Sequence, residues 1–194
     1  MENYIDTVAA MGRTVIVTGT GNNGSQPWHA GGILQQGKTE EIQLAVGAFE
    51  PTLNVQLWKD YEDEMEIYLE SPSGERIGPL YERLGPQRHL LENTELLIYY
   101  GKPGPYQLSQ EIYIDFLPGK TYVDSGDWKI ILSGKKVRGG EYYLWLPGGN
   151  TLNRGTGFYE PRAYGTLTIP ATAQRVIAVG AYDSLVDSYA DFSG

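Results

Sequence analysis

Thr14-Val-Ile-Val-Thr-Gly-Thr-Gly-Asn-Asn-Gly24 is the stretch on which the reading of the fold turns. Val15, Ile16 and Val17 form a β-branched run with no polar alternation, the pattern of a short strand buried on both faces. Gly19, Gly21 and Gly24 follow, and glycine permits a tight turn and a close approach of backbone to a ligand or another segment. A loop at the carboxyl end of a buried strand is where open α/β sheets place their chemistry. The glycine spacing also matches G-x-G-x-x-G, the dinucleotide fingerprint. That fingerprint needs a helix directly after the glycines, because the helix N-terminus holds the pyrophosphate. Here the loop runs into Ser25-Gln-Pro-Trp-His-Ala-Gly-Gly32, which reads as turn, so the nucleotide reading is set aside.

Upstream, residues 2–11 read as a short helix. Tyr4, Ile5, Val8, Ala9 and Met11 fall at helical spacing, and Gly12 stands where a C-terminal stop belongs. Downstream, the character changes at Lys38. Ile42, Leu44 and Val46 alternate with polar or small residues, as do Leu53, Val55 and Leu57, and then Met65, Ile67 and Leu69. Period-two alternation marks strands with one buried face. Turn chemistry separates them at Glu50-Pro51, Lys59-Asp60-Tyr61 and Pro72-Ser73-Gly74. Further strands are expected at 76–80, 95–100, 110–116, 128–132 and 141–146. About eight short strands with no convincing helix predict an antiparallel sandwich or jelly roll. After Pro147-Gly-Gly-Asn150 the chain is loop-rich, until Val176-Ile-Ala-Val179 again gives a continuous apolar run. The two ends therefore read as parallel-sheet material and the middle as antiparallel sandwich.

The bulk properties narrow the function classes. A net charge of −9 argues against a nucleic-acid backbone or an anionic membrane as partner. With no cysteine, thiol catalysis and disulfides are excluded. No run approaches the length of a membrane-spanning helix. Met1 leads straight into a helix, as expected of an excised piece and not of a natural N-terminus.

Thr18-Gly-Thr-Gly-Asn-Asn-Gly24 resembles the segment of subtilisin-like serine proteases (peptidase S8, subtilases) that carries the oxyanion asparagine, with Asn22 at that position. Thr166-Leu-Thr-Ile-Pro-Ala171, Arg175-Val-Ile-Ala-Val-Gly-Ala-Tyr182 and Tyr189-Ala-Asp-Phe-Ser-Gly194 resemble a second segment of the same family. In an ordinary subtilase the two segments lie a few tens of residues apart. Here roughly 140 residues, a typical domain, stand between them. The layout is similar to clostridial Csp-type subtilases, which carry a jelly roll at this point. The resemblance implies a mainly β chain with a jelly roll inserted in a partial α/β subtilase domain. Residues 1–36 and 164–194 would be stubs of the catalytic domain, and 37–163 the insertion.

For Asn22, the loop alone suggests only a residue tolerant of a left-handed turn. The resemblance implies an oxyanion-hole donor, a role worth roughly 3–4 kcal/mol of barrier in acyl transfer. The family's Asp and His would lie before Met1 and its Ser beyond Gly194. Asp124-Ser-Gly126 imitates the aspartate motif but comes after Asn22, in the wrong order, and reads as a turn between strands. His29 and His89 are the only histidines, and His29 is followed by Ala-Gly-Gly, not by the family's Gly-Thr. No cofactor is implied. Asp60, Glu62, Asp63, Glu64 and Glu66 could suggest calcium, but a solvated turn with an acidic strand face is the favoured reading.

The function so implied is a piece of a serine endopeptidase, inactive alone, whose jelly roll stabilises the catalytic domain. Its partners would be the rest of that domain and, for the parent, a peptide or protein substrate, in an extracytoplasmic or spore-associated setting. The stubs, cut from their covering helices, are expected to be disordered, rearranged or paired between molecules. Two alternatives stay open. Asn23 stands where many subtilases have Glu, and Thr18 and Thr20 where alanines are usual, so the parent could be a degenerate pseudoprotease. Alternatively the jelly roll is a non-enzymatic module for glycans or a protein, with Trp58, Trp128 or Trp145 as a stacking platform.

Overall fold

The computed structural model describes residues 1–103, 108–148 and 151–194, and the chain divides into two units. Residues 149 and 150 of the expected turn lie outside the described residues. Met1–Gln26 and Arg162–Gly194 form the first unit and Pro27–Pro161 the second.

In the first unit, the helix α1 spans Glu2–Ala10 and ends through Met11 into Gly12, whose φ is +67°. Asp6 accepts a hydrogen bond from the Arg175 backbone N–H at 2.8 Å. Strand β1, Val17–Gly19, follows. It pairs in parallel with the apolar run near the other end of the chain, with Val17 opposite Ile177, Thr18 opposite Ala178 and Gly19 opposite Val179.

The apolar run that reads as covered on both faces stands open in this unit, as expected of a strand cut from its covering helices. Val17 is 59% exposed, Ile177 54% and Val179 51%, and Val15 lies outside the strand, also exposed. The run is apolar because it suits a two-sided interior, but nothing in this unit covers it. Each end finds its ladder partner in the other.

The second unit is a two-sheet sandwich. Its strands in chain order are β2 (His29–Ile33), β3 (Thr39–Val46), β4 (Leu53–Asp60), β5 (Glu64–Glu70), β6 (Arg76–Ile77), β7 (Gln87–Leu91), β8 (Thr94–Tyr100), β9 (Ser109–Pro118), β10 (Gly126–Lys136), β11 (Glu141–Trp145) and β12 (Gly157–Phe158). The first unit's β13 (Ile177–Val179), β14 (Tyr182–Asp183) and β15 (Ser188–Tyr189) complete the set. One sheet has the order β12-β3-β10-β5-β6 and the other β2-β11-β4-β9-β8-β7. Every pairing within them is antiparallel. The chain changes sheet at β2 to β3, β3 to β4, β4 to β5, β6 to β7, β9 to β10, β10 to β11 and β11 to β12, the jelly-roll way of closing a core between sheets.

The alternating residues fill that core: Leu44, Val55, Leu57, Ile67, Leu69, Ile112, Ile114 and Leu132 are all buried. The expected strand at 76–80 shrinks to Arg76–Ile77. His29–Ile33, read from sequence as turn, is instead a strand paired along β11. That moves the sandwich's start from residue 37 to residue 27.

Two buried polar groups hold this unit at its loops. The Asp63 carboxylate accepts backbone N–H groups from Arg138 at 2.6 Å and Gly140 at 2.7 Å, with Gly139 longer at 3.4 Å. It thereby ties the β4–β5 turn to the β10–β11 turn. Lys59, buried beside it, donates to the Asp63 carbonyl at 2.8 Å, and burial pulls its ammonium below the usual lysine range. Asp63→Ala leaves those N–H groups without their acceptor and is expected to lower unfolding free energy by about 2–4 kcal/mol in urea titrations. A change within experimental error would contradict the anchoring role.

Burial, with a smaller push from the charge of Glu82, raises the Tyr100 phenol from 10.0 to about 12. The fold therefore favours the neutral phenol. Below pH 10 the phenol is neutral folded or unfolded, and its contribution is fully present. As pH rises towards 12 the unfolded chain ionises first and stability is lost, by about 2–3 kcal/mol at 1.36 kcal/mol per pKa unit. Denaturation of the protein and of Tyr100→Phe between pH 9 and 12 checks this. The natural chain should lose more stability than the variant, and parallel curves would refute it.

Candidate functional site

The Asn22 turn is built by two distant stretches of the first unit. Thr20 receives its backbone register from the ladder, donating its N–H to the Val179 carbonyl at 3.2 Å. The Thr20 carbonyl accepts the Thr168 N–H at 2.9 Å. Gly21 follows with φ +115°, a conformation that favours glycine, and Thr168 occupies the space a Cβ would need. Gly24 donates its N–H to the Phe192 carbonyl at 2.9 Å, and a Cβ there would collide with the Ser193 carbonyl. The Gly194 N–H reaches back to the Gly21 carbonyl at 3.2 Å.

Ser193 locks the same corner through its side chain. Its hydroxyl accepts the Ala181 N–H at 3.1 Å and shares a 3.0 Å hydrogen bond with the Thr20 hydroxyl. The turn is thus held from Thr168 on one side and 190–194 on the other. Asn22 is exposed at its tip, and no hydrogen bond to its side chain is found among the described residues. A neutral amide held on a fixed backbone can donate to a developing negative charge without losing a proton.

The other sequence candidates take structural places. The Asp124 carboxylate accepts from the Asn93 N–H and the Thr94 hydroxyl, each at 2.8 Å, and Gly126 opens β10. The motif is a turn anchor. His29 is buried on β2, in the second unit, with its ring stacked on Trp145, centroids 3.9 Å apart. Trp128 is core, in an edge-on contact with Phe116 at 5.1 Å, whereas Trp58 and Trp145 are half-buried. In the acidic run, Asp60 accepts from the Glu62 N–H, and Glu62, Glu64 and Glu66 pair with Arg138, Lys136 and Lys135. Among the described residues no group of three or more His, Asp or Glu side chains is placed to hold a metal ion.

The Ser193 lock was not read from the sequence as a contact. The signal lay in Phe192-Ser193-Gly194, a small hydroxyl beside glycine, but nothing local says that it packs on a turn some 170 residues earlier.

A mainly β sandwich and an asparagine turn at the end of a parallel ladder define the chain's architecture. The chain is similar to the solved structure of the Clostridium perfringens CspB protease, at 32% identity with a TM-score of 0.90. The match covers 100% of this chain and 40% of that one, so the chain spans less than half of the protease it resembles. No family model matches the chain, and no curated protein does.

Proposed function

We propose that the chain is part of a subtilisin-like serine endopeptidase whose catalytic sheet is interrupted by the sandwich of residues 27–161. The observation that carries this reading is the parallel ladder of β1 with β13. Two three-residue strands do not make a stable sheet alone, and parallel strands occur almost only where helices cover both faces. The exposed Val17, Ile177 and Val179 therefore suit a larger α/β sheet supplied by the rest of such a protease.

In this reading Asn22 donates its side-chain amide to the substrate carbonyl oxygen as charge develops there. The nucleophile and its Asp and His partners lie outside residues 1–194, so the chain alone cleaves nothing. The sandwich stabilises the catalytic domain, and the partners are the rest of that domain and a peptide or protein substrate.

A fluorophosphonate probe, which labels activated serines, tests this on the full-length gene product beside the 194-residue chain. The expected result is covalent label on a serine C-terminal to Gly194 and none on the chain alone. A full-length product that takes no label, or a chain that takes it on one of its own serines, overturns the proposal.

A further inference from the structure

The outer faces of the two sheets differ in how their charges are met. On the β3-β10-β5 sheet, Lys129 bridges Glu41 at 3.3 Å and Glu70 at 3.1 Å, Lys135 meets Glu66 at 3.0 Å, and Arg76 lies 4.2 Å over the Tyr68 ring. That wall neutralises itself, as expected of a face turned to water.

The other sheet's outer face does so at its β7–β8 edge, where Arg88 meets Glu95 at 2.5 Å, but not at its centre. Alternation puts Leu53, Val55 and Leu57 of β4 in the core, so Gln56 and Trp58 point outward. Antiparallel register then aligns side chains across strands, because directly opposed residues share a face. One row runs His29, Trp145, Gln56, Tyr113, Tyr99. The next runs Tyr143, Trp58, Glu111, and beside them lies Asp115 opposite Asn54 and Leu97. Tyr143 is 40% exposed and Tyr99 43%, with Trp58, Trp145 and Tyr113 half-buried.

Among the described residues, no lysine or arginine forms an ion pair with Glu111, Asp115 or Glu141 on this face. Desolvation raises Glu111 and Asp115 above the usual carboxylate range. A cation arriving beside them recovers what the sheet withholds, and its guanidinium can lie on a neighbouring ring as it pairs. Trp58, Lys59, Asp60, Ser109, Glu141 and Tyr143 line a hollow of about 110 Å³ at one end of the face, its lysine already tied to the Asp60 and Asp63 carbonyls, so the unpaired carboxylates nearer the centre are what a cation would meet.

We infer that this aromatic and acidic face of the six-stranded sheet is a docking surface for a basic protein segment, with arginine or lysine heads stacked on Trp58, Tyr113 and Tyr143 and paired to Glu111 and Asp115. The inference does not rest on the protease reading, since it concerns the second unit alone.

The test titrates acetyl-hexa-arginine amide into the 194-residue chain at low salt, following tryptophan fluorescence and NMR shifts. Two double variants remove the same charge from opposite faces: Glu111→Gln with Asp115→Asn, and Glu41→Gln with Glu70→Gln. The expected result is shifts centred on Trp58, Tyr113 and Tyr143, with binding about tenfold weaker in the first double variant and in Trp58→Ala. The second double variant should bind within about twofold of the natural chain. Equal weakening by the two double variants would reduce the effect to net charge and overturn the proposal. So would an absence of shifts at those rings, or their response to cellohexaose or chitohexaose but not to the peptide, which would make the face a glycan platform. Melting curves for each variant separate lost binding from lost fold.

Discussion

Replacing Asn22 by alanine in the full-length protein is expected to lower kcat by about two to three orders of magnitude while KM stays near its original value. The amide is proposed to meet the carbonyl oxygen only as charge develops there, so ground-state binding loses little. The turn itself should survive the change, because Thr168, Phe192 and Gly194 hold it through the backbone, not through the Asn22 side chain. Asn22→Asp is the sharper variant: similar in shape, it replaces a donor by a negative charge and should be at least as slow. Steady-state kinetics on a peptide substrate, with the melting temperature as control, checks both. An Asn22→Ala enzyme within about threefold of the natural kcat would remove the asparagine from the chemistry.

The second large effect lies in the sandwich. Trp128 is 1% exposed, meets the Phe116 ring edge-on and donates its indole N–H to the Asp124 carbonyl at 2.9 Å. Trp128→Ala is expected to cost about 3–5 kcal/mol, since it removes an aromatic contact and leaves a cavity between two close-packed sheets. That is a large share of the roughly 5–15 kcal/mol that holds a typical domain together. Trp128→Phe keeps a ring against Phe116 but loses the hydrogen bond, and should cost clearly less, about 1–3 kcal/mol. Urea unfolding followed by circular dichroism reads both. Equal losses for the two variants would mean that the carbonyl bond, not the ring, is what the site needs.

Much of the sandwich was legible because it obeys a single rule. At Leu53, Val55 and Leu57 the odd positions enter the core and the even ones do not, and the same holds from Met65 to Leu69. That rule also places Trp58 and Gln56 outside, but it fixes faces and says nothing of what lies opposite. The aromatic rows became visible only through register between strands far apart in sequence. Where the rule is broken the reading failed. His29–Ile33 carries Gly31-Gly32 after a proline, which reads as a turn, yet it adds an edge strand along β11. Gln87–Leu91 hides its glutamine inside and shows Leu90 outside, the inverse of the usual pattern. Gln87 can be buried because its amide both accepts from the Tyr81 N–H and donates to the Tyr81 carbonyl, a partner no local pattern reveals.

The ends of the chain were legible in a different sense. Val15 to Val17 and Val176 to Val179 carry the composition of a two-sided interior, and the structure pairs the strands in them while leaving them uncovered. Sequence records the environment a strand is suited to, and that environment need not lie within residues 1–194.

The account depends on those two strands meeting side by side in one chain, and the absence of cysteine allows a clean measurement. Thr18 and Ala178 stand directly opposite in the ladder, within the separation a disulfide spans between neighbouring strands. In Thr18→Cys with Ala178→Cys, mild oxidation is predicted to give an intramolecular bond, seen as a faster monomer band on a non-reducing gel and as the linked peptide by mass spectrometry. Thr18→Cys with Leu185→Cys, outside the ladder, should give none. A ladder pair that stays reduced, or that links only between molecules, would contradict the account.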